Sequence, residues 1–211
     1  MLRDLLEARE TRSGPAAGQR LAPLALWVCL AGLVYGICMG SWQWRPLQML
    51  YSGIKTPLLI SAGGLFVVPF FLVLHLLLGL REDFGRALRS VLRSQVVVAI
   101  SLASLGPLQL VWYTAIDNYS QAKACNGMNF LLASLAGQWT LARLYRPLIA
   151  RDPRHRLTLA AWLSAYWFVS IQLAWILRPF IGRPGETTQF FRDEAWGNAY
   201  VEAWRALLGS F

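Results

Sequence analysis

Five stretches of this chain contain no Asp, Glu, Lys or Arg and are near or above the length that a membrane-spanning helix requires. These charge-free stretches are Leu21–Trp44, Thr56–Leu80, Ser94–Ile116, Ala124–Ala142 and Leu157–Leu177. A helix needs about 20 apolar residues to cross roughly 30 Å of hydrocarbon. Lipid offers no hydrogen-bond partner to an open backbone, and the continuous apolar run Leu72–Leu78 lacks the alternation of a barrel strand. The stretches therefore predict an all-α, polytopic transmembrane bundle of about five spanning helices.

The composition agrees with lipid as the main solvent of the chain. Hydrophobic residues make up 56% and charged residues only 15% of the 211 positions, and the mean hydropathy is +0.42. A soluble domain is usually about one quarter charged. The net charge of +9 is spread over short connections rather than gathered on one face. We therefore expect these cations to face lipid headgroups, with the bilayer as a partner and no nucleic-acid binding.

The five stretches are not equally apolar. The second has the strongest signal, and the fourth is the weakest because it contains Asn126, Asn129, Gln138 and Thr140. The fourth stretch is expected either to pack inside the bundle or to enter the membrane without crossing it. The first stretch is longer than the apolar core of a secretory signal, about 7–15 residues, and no small-residue cleavage site follows it. We therefore interpret it as a retained helix.

Lys and Arg are distributed unequally between the two sides of a five-span chain. Residues 1–20 and the connections 81–93 and 143–156 carry 13 of them, and the other side carries seven. The richer side is cytoplasmic by the positive-inside rule. This predicts a cytoplasmic N-terminal segment (1–20), a transmembrane bundle (21–178) and an outer C-terminal tail (179–211). The C-terminus moves inside if the fourth stretch does not span.

Two segments outside the stretches have the pattern of amphipathic helices. Within Glu82–Arg93, an apolar stripe consists of Phe84, Leu88, Val91 and Leu92, and the opposite stripe consists of Arg86, Arg89 and Arg93. This pattern predicts a helix on the cytoplasmic interface, anchored by its arginines, with a plain extension of the third span as the alternative. In the tail, an aromatic stripe consists of Trp196, Tyr200, Trp204, Leu207 and Phe211. With Arg178, Trp196 and Trp204 are predicted to anchor the tail at the headgroups or to cover a partner subunit.

The chain offers few candidates for catalysis or metal binding. Its three cysteines, Cys29, Cys38 and Cys125, form no CxxC pattern and are expected to be small buried hydrophobes. His75 lies inside the second stretch, where an imidazole either bonds within the interior or serves a functional site. His155 lies in a basic connection and is expected to be solvated. Two distant histidines and scattered cysteines make no metal ligand set, so we expect no catalytic residue, metal or cofactor.

Glycine and proline interrupt the second and third stretches. Gly63, Gly64 and Pro69 lie in the second, and Gly106-Pro107 lies in the third. Such breaks either aid helix packing or mark a transport site near the middle of the membrane. The polar residues that would line a pathway are His75, Gln109, Asn126, Asn129, Gln138 and Gln172. The same amides can equally link helices to one another.

Two motifs resemble those of bacterial polytopic membrane proteins. The first, Ile54-Lys55-Thr56-Pro57-Leu58-Leu59 with the Leu-rich run and amphipathic segment after it, resembles bacterial proteins grouped with the YIP1 family. The tail pattern RPFIG…FFR…NAY resembles uncharacterised bacterial membrane proteins. The resemblance implies five spans, a cytoplasmic N-terminus and a scaffold or assembly role in the bacterial inner membrane. The chain lacks the long acidic N-terminal domain of the eukaryotic relatives, so no trafficking role is implied.

The function expected from the sequence is that of a non-enzymatic integral membrane protein, a scaffold or a subunit of a membrane complex. Its expected partners are the lipid bilayer and either another membrane protein or a second copy of the chain. The alternative is a small transporter or channel with its site at the broken second and third stretches. The two hypotheses differ in whether the interior amides contact a substrate or only link helices.

Overall fold

The computed structural model of the protein describes residues 21–116, 118–182, 184–192, 196–201 and 204. Within these residues every regular element is helical, and no β-strand is formed. The all-α class predicted from the charge-free stretches is therefore confirmed. The predicted N-terminal segment, residues 1–20, and the end of the tail stripe, Leu207 and Phe211, lie outside the described residues.

Five long helices follow one another through the described part of the chain. They are α1 (Leu21–Gly40), α2 (Pro46–Leu77), α3 (Phe84–Ala115), α4 (Tyr119–Arg151) and α5 (His155–Ile176), with 3-10 turns at Trp42–Trp44 and Arg81–Asp83. Local chemistry sets several of their ends. Pro46 begins α2, where no backbone N–H is needed, and Gly79 follows α2 with a φ of +69° that glycine tolerates. The Asn118 side chain caps α4 by accepting from the backbone N–H of Ser120 at 2.8 Å.

Among the described residues, four helical segments are long and apolar enough to cross a membrane. They are Ala22–Gly40, Pro46–Leu77, Arg81–Ala115 and His155–Ile176. The chain is therefore a multi-pass helical membrane protein. Helices α2 and α3 have 32 residues each, so they are about 48 Å long and extend beyond about 30 Å of hydrocarbon.

Helix α4 has a polar inner face and an apolar outer face. Asn126 and Asn129 are buried, with 5% and 4% of their surface exposed. The outer face carries large apolar side chains that are 50–64% exposed, namely Leu132, Leu135 and Trp139. The mean hydropathy averages the two faces, which is why the fourth stretch looks weak in the sequence although its outward face suits lipid.

Successive helices run antiparallel, so the bundle has two ends. The Lys55 end contains the α1–α2 and α3–α4 connections and the chain after α5, and the Asp83 end contains the other two connections. Residues distant in sequence meet at each end. Tyr113 Oη donates to Met39 O at 2.9 Å at the Lys55 end, and Arg151 Nη1 donates to Asp83 Oδ1 at 3.0 Å at the Asp83 end.

A stripe of glycines packs α1 closely on α2. Gly32, Gly36 and Gly40 share one helix face at a spacing of four residues. A Cβ atom at Gly36 would overlap the backbone of Ser52 and Gly53. Small residues at this spacing let membrane helices approach each other. The resulting hairpin fixes the first turns of α2, where the candidate site begins.

The segment Glu82–Arg93 is part of the third helix. The turn Arg81–Asp83 leads directly into α3, which runs unbroken from Phe84. Its apolar stripe turns towards the core, where Ala87 is fully buried and Val91 is 1% exposed. The structure thus has the extension of the third span, and a separate helix is not formed there.

Candidate functional site

A buried lysine joins α2 to the chain after α5. Lys55 is fully buried in the third turn of α2, and its Nζ donates to the backbone oxygen of Pro179 at 2.8 Å. The same Nζ lies 4.8 Å from the centroid of the Phe190 ring. A buried ammonium is costly unless carbonyl dipoles or an aromatic face replace its water, and both are present here.

Two further side chains on the same face of α2, and one directly before the helix, hold that part of the chain. Gln48 Nε2 donates to Phe180 O at 3.0 Å, and Ser52 Oγ donates to the same oxygen. Arg45, which precedes α2, donates from Nη2 to Glu186 O at 2.6 Å. Positions 48, 52 and 55 recur every three or four residues, so one helix face presents these three. We call these four side chains, with the backbone oxygens that they bind, the Lys55 junction.

The junction brings together the two motifs that resemble bacterial membrane proteins. Lys55 belongs to the first motif, Pro179 belongs to RPFIG, and Phe190 begins FFR. The predicted second stretch begins at Thr56 and leaves Lys55 in the connection before it, because a lysine ends a charge-free stretch. That placement was wrong, since α2 begins at Pro46. A signal was available, because Gln48 stands seven residues before Lys55 and shares its polar helix face.

A cavity of about 830 Å³ lies beside the junction, between α2, α4, α5 and the chain after α5. Helix α4 packs mainly on α3 and α5 mainly on α2, which leaves this space between α4 and α5. Its walls include the apolar side chains of Leu59, Ile60, Phe130, Leu131, Ile171 and Ala174. Its rim includes the charged side chains of Lys123, Arg178, Glu186 and Arg192. We call this space the Lys55-end cavity.

Three of the predicted pathway residues form a hydrogen-bonded cluster with two tyrosines. Asn129 Nδ2 donates to Gln109 Oε1 at 2.7 Å. Asn126 accepts from Tyr35 Oη at 3.1 Å and donates to Tyr113 Oη at 2.6 Å. This amide cluster links α1, α3 and α4, as buried amides do between membrane helices. Asn126 also lines the Lys55-end cavity, whereas Gln109 Nε2 has no hydrogen-bond partner within the described part of the chain.

The other two predicted amides lie apart from this cluster. Both amide atoms of Gln138 are buried without a hydrogen-bond partner among the described residues. Gln172 fixes the tail to α5, because its Oε1 accepts from Ala199 N at 3.0 Å and its Nε2 donates to Gly197 O at 3.1 Å. Gln172 therefore has a structural partner rather than a place beside the amide cluster.

The aromatic side chains of the predicted tail stripe point in two directions, towards α5 and outwards. Tyr200 stacks on Phe168 with ring centroids 4.5 Å apart, and its Oη donates to Phe168 O at 2.8 Å. Trp196 and Trp204 are 81% and 63% exposed. Residues 199–201 and 204 are helical. The tyrosine thus holds the tail on α5, and the two tryptophans face outwards.

At the Asp83 end, one buried carboxylate gathers three basic side chains. Asp83 Oδ1 accepts from Arg86 Nη1 at 3.1 Å and from Arg151 Nη1 at 3.0 Å. Asp83 Oδ2 lies 3.4 Å from His155 Nε2. We call these four residues the Asp83 cluster. The prediction that His155 is solvated was wrong, because its ring is fully buried at the start of α5, beneath this carboxylate.

His75 lies beside the Asp83 cluster, at the opposite end of the bundle from the amide cluster. Its ring is fully buried, with its centroid 5.9 Å from that of His155. Its Nδ1 lies 2.8 Å from Phe71 O, and a carbonyl only accepts, so Nδ1 carries a proton. This bond is interior hydrogen bonding, one of the two roles expected from the sequence. Its Nε2 has no hydrogen-bond partner among the residues that the structure describes.

The predicted arginine anchors have different surroundings. Arg86 keeps 57% of its side chain exposed while it binds Asp83. Arg89 and Arg93 are half-buried on α3. The Arg178 guanidinium carbon lies 3.4 Å from the centroid of the Trp175 ring. Arg178 therefore packs on an aromatic face beside the cavity as well as lying near the end of a span.

The glycines and prolines that were predicted to break the second and third spans do not interrupt the helices. Helix α2 continues through Pro69, and α3 continues through Pro107. A Cβ atom at Gly63 would lie 2.8 Å from Ser170 Oγ, so this glycine lets α5 approach α2. These observations favour a packing role for the glycines and prolines.

The three cysteines are free, as their spacing suggested. Cys38 and Cys125 are half-buried, but Cys29 is exposed on α1, so the expectation of three buried side chains was wrong. Cys29 lies on the outer face of a membrane helix, where an apolar thiol suits lipid. Among the described residues, no three His, Cys, Asp or Glu side chains are placed to share a metal ion.

No protein-family model, no curated protein and no solved structure matches the chain. The resemblance to the YIP1 family therefore stays a prediction from the first motif. The main candidate site among the described residues is the Lys55-end cavity with its junction.

Proposed function

We propose that this protein is a non-enzymatic integral membrane protein, a scaffold or a subunit of a membrane complex, that binds an amphipathic molecule in the Lys55-end cavity. The cavity itself carries the proposal. Its volume of about 830 Å³ lies within the range of ligand pockets, roughly 300–1,000 Å³. Apolar walls with a few polar groups at one rim are the usual chemistry of such pockets.

The cavity is open on one side rather than enclosed. Two of its lining side chains, Leu131 and Ile171, are 43% and 46% exposed. The apolar chain of an amphipathic molecule in the membrane could therefore enter between α4 and α5 and gain dispersion contacts with the walls.

The surroundings of the cavity support a preformed site. The Lys55 junction fixes the chain that closes one side, and Gln172 fixes the tail beside it. The amide cluster fixes the part of α4 that contains Asn126. Walls held by hydrogen bonds on three sides lose little freedom when a ligand binds, which favours affinity.

The proposed topology has five spans in a bacterial inner membrane, with the N-terminus in the cytoplasm and the C-terminus outside. Helix α4 is the additional span beside the four apolar segments described above. It reaches both ends of the bundle, because Tyr119 Oη donates to Ile181 O at one end and Arg151 binds Asp83 at the other. The arginine-rich connections 81–93 and 143–156 both lie at the Asp83 end. The positive-inside rule then assigns that end to the cytoplasm.

A transporter remains the second candidate, on one observation. Asn126 belongs to the amide cluster and also lines the cavity, so a polar group connects the cavity with the interior. Proteoliposomes with an enclosed pH-sensitive dye test this candidate. Proton flux that disappears in Asn126→Ala and in Gln109→Ala supports a pathway, and wild-type flux equal to that of empty liposomes removes it.

Native mass spectrometry in a mild detergent tests the binding function. An equimolar mixture of phosphatidylcholine and phosphatidylglycerol serves as the probe. We expect one lipid to stay bound to the wild type and to be lost from Ala174→Phe, which fills the cavity wall. Ala160→Phe is the matched control, because Ala160 lies on the same helix and is exposed. Equal retention by both variants, or none by the wild type, contradicts the proposal.

A further inference from the structure

We infer that the ligand of the Lys55-end cavity is an anionic phospholipid, with an acyl chain between α4 and α5 and its phosphate at a basic rim. The inference deepens the proposed function and rests on it. The rim consists of Lys123, Arg178 and Arg192, and both arginines pack on the indole of Trp175.

The charge of the rim favours an anion. Among the described residues that line the cavity, three carry a positive charge and only Glu186 carries a negative one. Two of the positive groups lie on one indole, with the guanidinium carbons of Arg178 and Arg192 at 3.4 Å and 4.5 Å from the Trp175 ring centroid. A phosphate beside Arg192 would accept charge-assisted hydrogen bonds from its guanidinium.

Two hydrogen-bond donors at the rim have no acceptor among the described residues. Arg192 Nε and Trp175 Nε1 are both buried, and neither has a hydrogen-bond partner within the described part of the chain. An unpaired buried donor loses its hydrogen bond to water without replacing it, so buried donors normally have partners. A phosphate presents several strong acceptor oxygens, which is what these two donors need. The choline group of a zwitterionic lipid would bring a positive charge to the same place.

The position of the rim matches the depth of a headgroup. Lys123 lies in the second turn of α4, and Arg178 follows the end of α5 by two residues. Basic side chains at helix ends lie at the level of lipid headgroups. The apolar walls, including Leu131 and Ile171, continue from this level along the helices. A lipid in its normal orientation would therefore place phosphate and chain where the cavity offers cations and apolar surface.

The test compares the two lipids within one native mass spectrum. With phosphatidylcholine and phosphatidylglycerol at equal concentration, we expect phosphatidylglycerol to dominate on the wild type. Each rim cation is worth about 1 kcal/mol towards an anionic lipid, so Arg192→Gln should lower the preference by about fivefold. Arg192→Lys keeps the charge and should keep most of the preference. Arg156→Gln, an exposed arginine at the Asp83 end, is the control and should change nothing.

The outcomes separate this inference from the proposed function. Equal retention of both lipids by the wild type overturns the anionic ligand and leaves the binding function standing. An unchanged preference in a folded Arg192→Gln, checked by its melting temperature, also overturns the inference. Retention of neither lipid overturns both proposals together.

Discussion

The two ends of the bundle bury charge in different ways. At the Lys55 end a cation is held by a backbone carbonyl and an aromatic face, and within the described residues no carboxylate lies within ion-pair distance of it. At the Asp83 end a carboxylate is held by two arginines that remain more than half exposed. The first arrangement depends on the fold of the tail, and the second depends on side chains that water can reach. Their difference indicates that the Lys55 end is built around a fixed backbone, as a binding site requires, and the Asp83 end is closed by ion pairs.

Reversing the buried charge at the Lys55 end should have the largest effect. Lys55→Glu would place a carboxylate against Pro179 O, an acceptor, so the variant buries an unpaired charge. We expect a loss of about 3–5 kcal/mol in the free energy of unfolding. Thermal unfolding in detergent measures it. Arg146→Glu, which reverses the charge of an exposed arginine, should change stability by less than about 0.5 kcal/mol. Equal losses in the two variants would contradict the account of the junction.

Removing the carboxylate at the Asp83 end should cost less. Asp83→Asn removes two ion pairs, but both arginines keep access to water, so we expect a loss of about 1–2 kcal/mol. A double-mutant cycle with Arg151→Gln measures the coupling of one pair. A loss larger than that of Lys55→Glu would reverse the contrast between the ends.

Releasing the tail should act locally. Gln172→Ala removes two hydrogen bonds to the tail, and we expect the free energy of unfolding to fall by about 1 kcal/mol. The larger change should appear in the tail itself, as faster hydrogen exchange at Ala199, whose N–H donates to Gln172. Gln138→Ala is the matched control, since the Gln138 amide has no partner among the described residues. Unchanged exchange at Ala199 would remove Gln172 from its anchoring role.

The smallest effect should come from the exposed ion pair beside the Asp83 cluster. Hydrogen bonds from the Arg154 side chain and backbone lower the pKa of Asp152 to about 2, from an ordinary value of about 4. A lowered pKa adds stability above pH 4 that disappears as the pH falls from about 4 to about 2. Melting temperatures of the wild type and Asp152→Asn should therefore converge over that range. A difference that grows with acid would contradict the assignment.

The sequence predicted the helices better than their ends. Charge-free stretches locate hydrocarbon, but backbone hydrogen bonds continue past the first charge, so α2 begins at Pro46 and α3 at Phe84, about ten residues before the predicted spans. The fourth stretch looked weak because hydropathy cannot tell an inward Asn129 from an outward one. The polar inner face and the apolar outer face of α4 can be distinguished only when the hydropathy of each face is calculated separately.

The candidate site was predictable only in part. Gln109, Asn126 and Asn129 were identified because amides within a membrane need partners, and they do meet. Tyr35 was missed because a tyrosine in a membrane sequence usually indicates the headgroup belt. The burial of Lys55 was missed because it depends on a chain segment more than 120 residues away, and no local pattern reveals that contact.

One measurement tests the binding claim most directly: a crystal structure grown in a lipid phase that contains phosphatidylglycerol with brominated acyl chains. We expect anomalous bromine peaks between α4 and α5, near Leu131 and Ile171, with phosphate density at Arg192. A closed contact between α4 and α5, or a cavity without bromine, would contradict it.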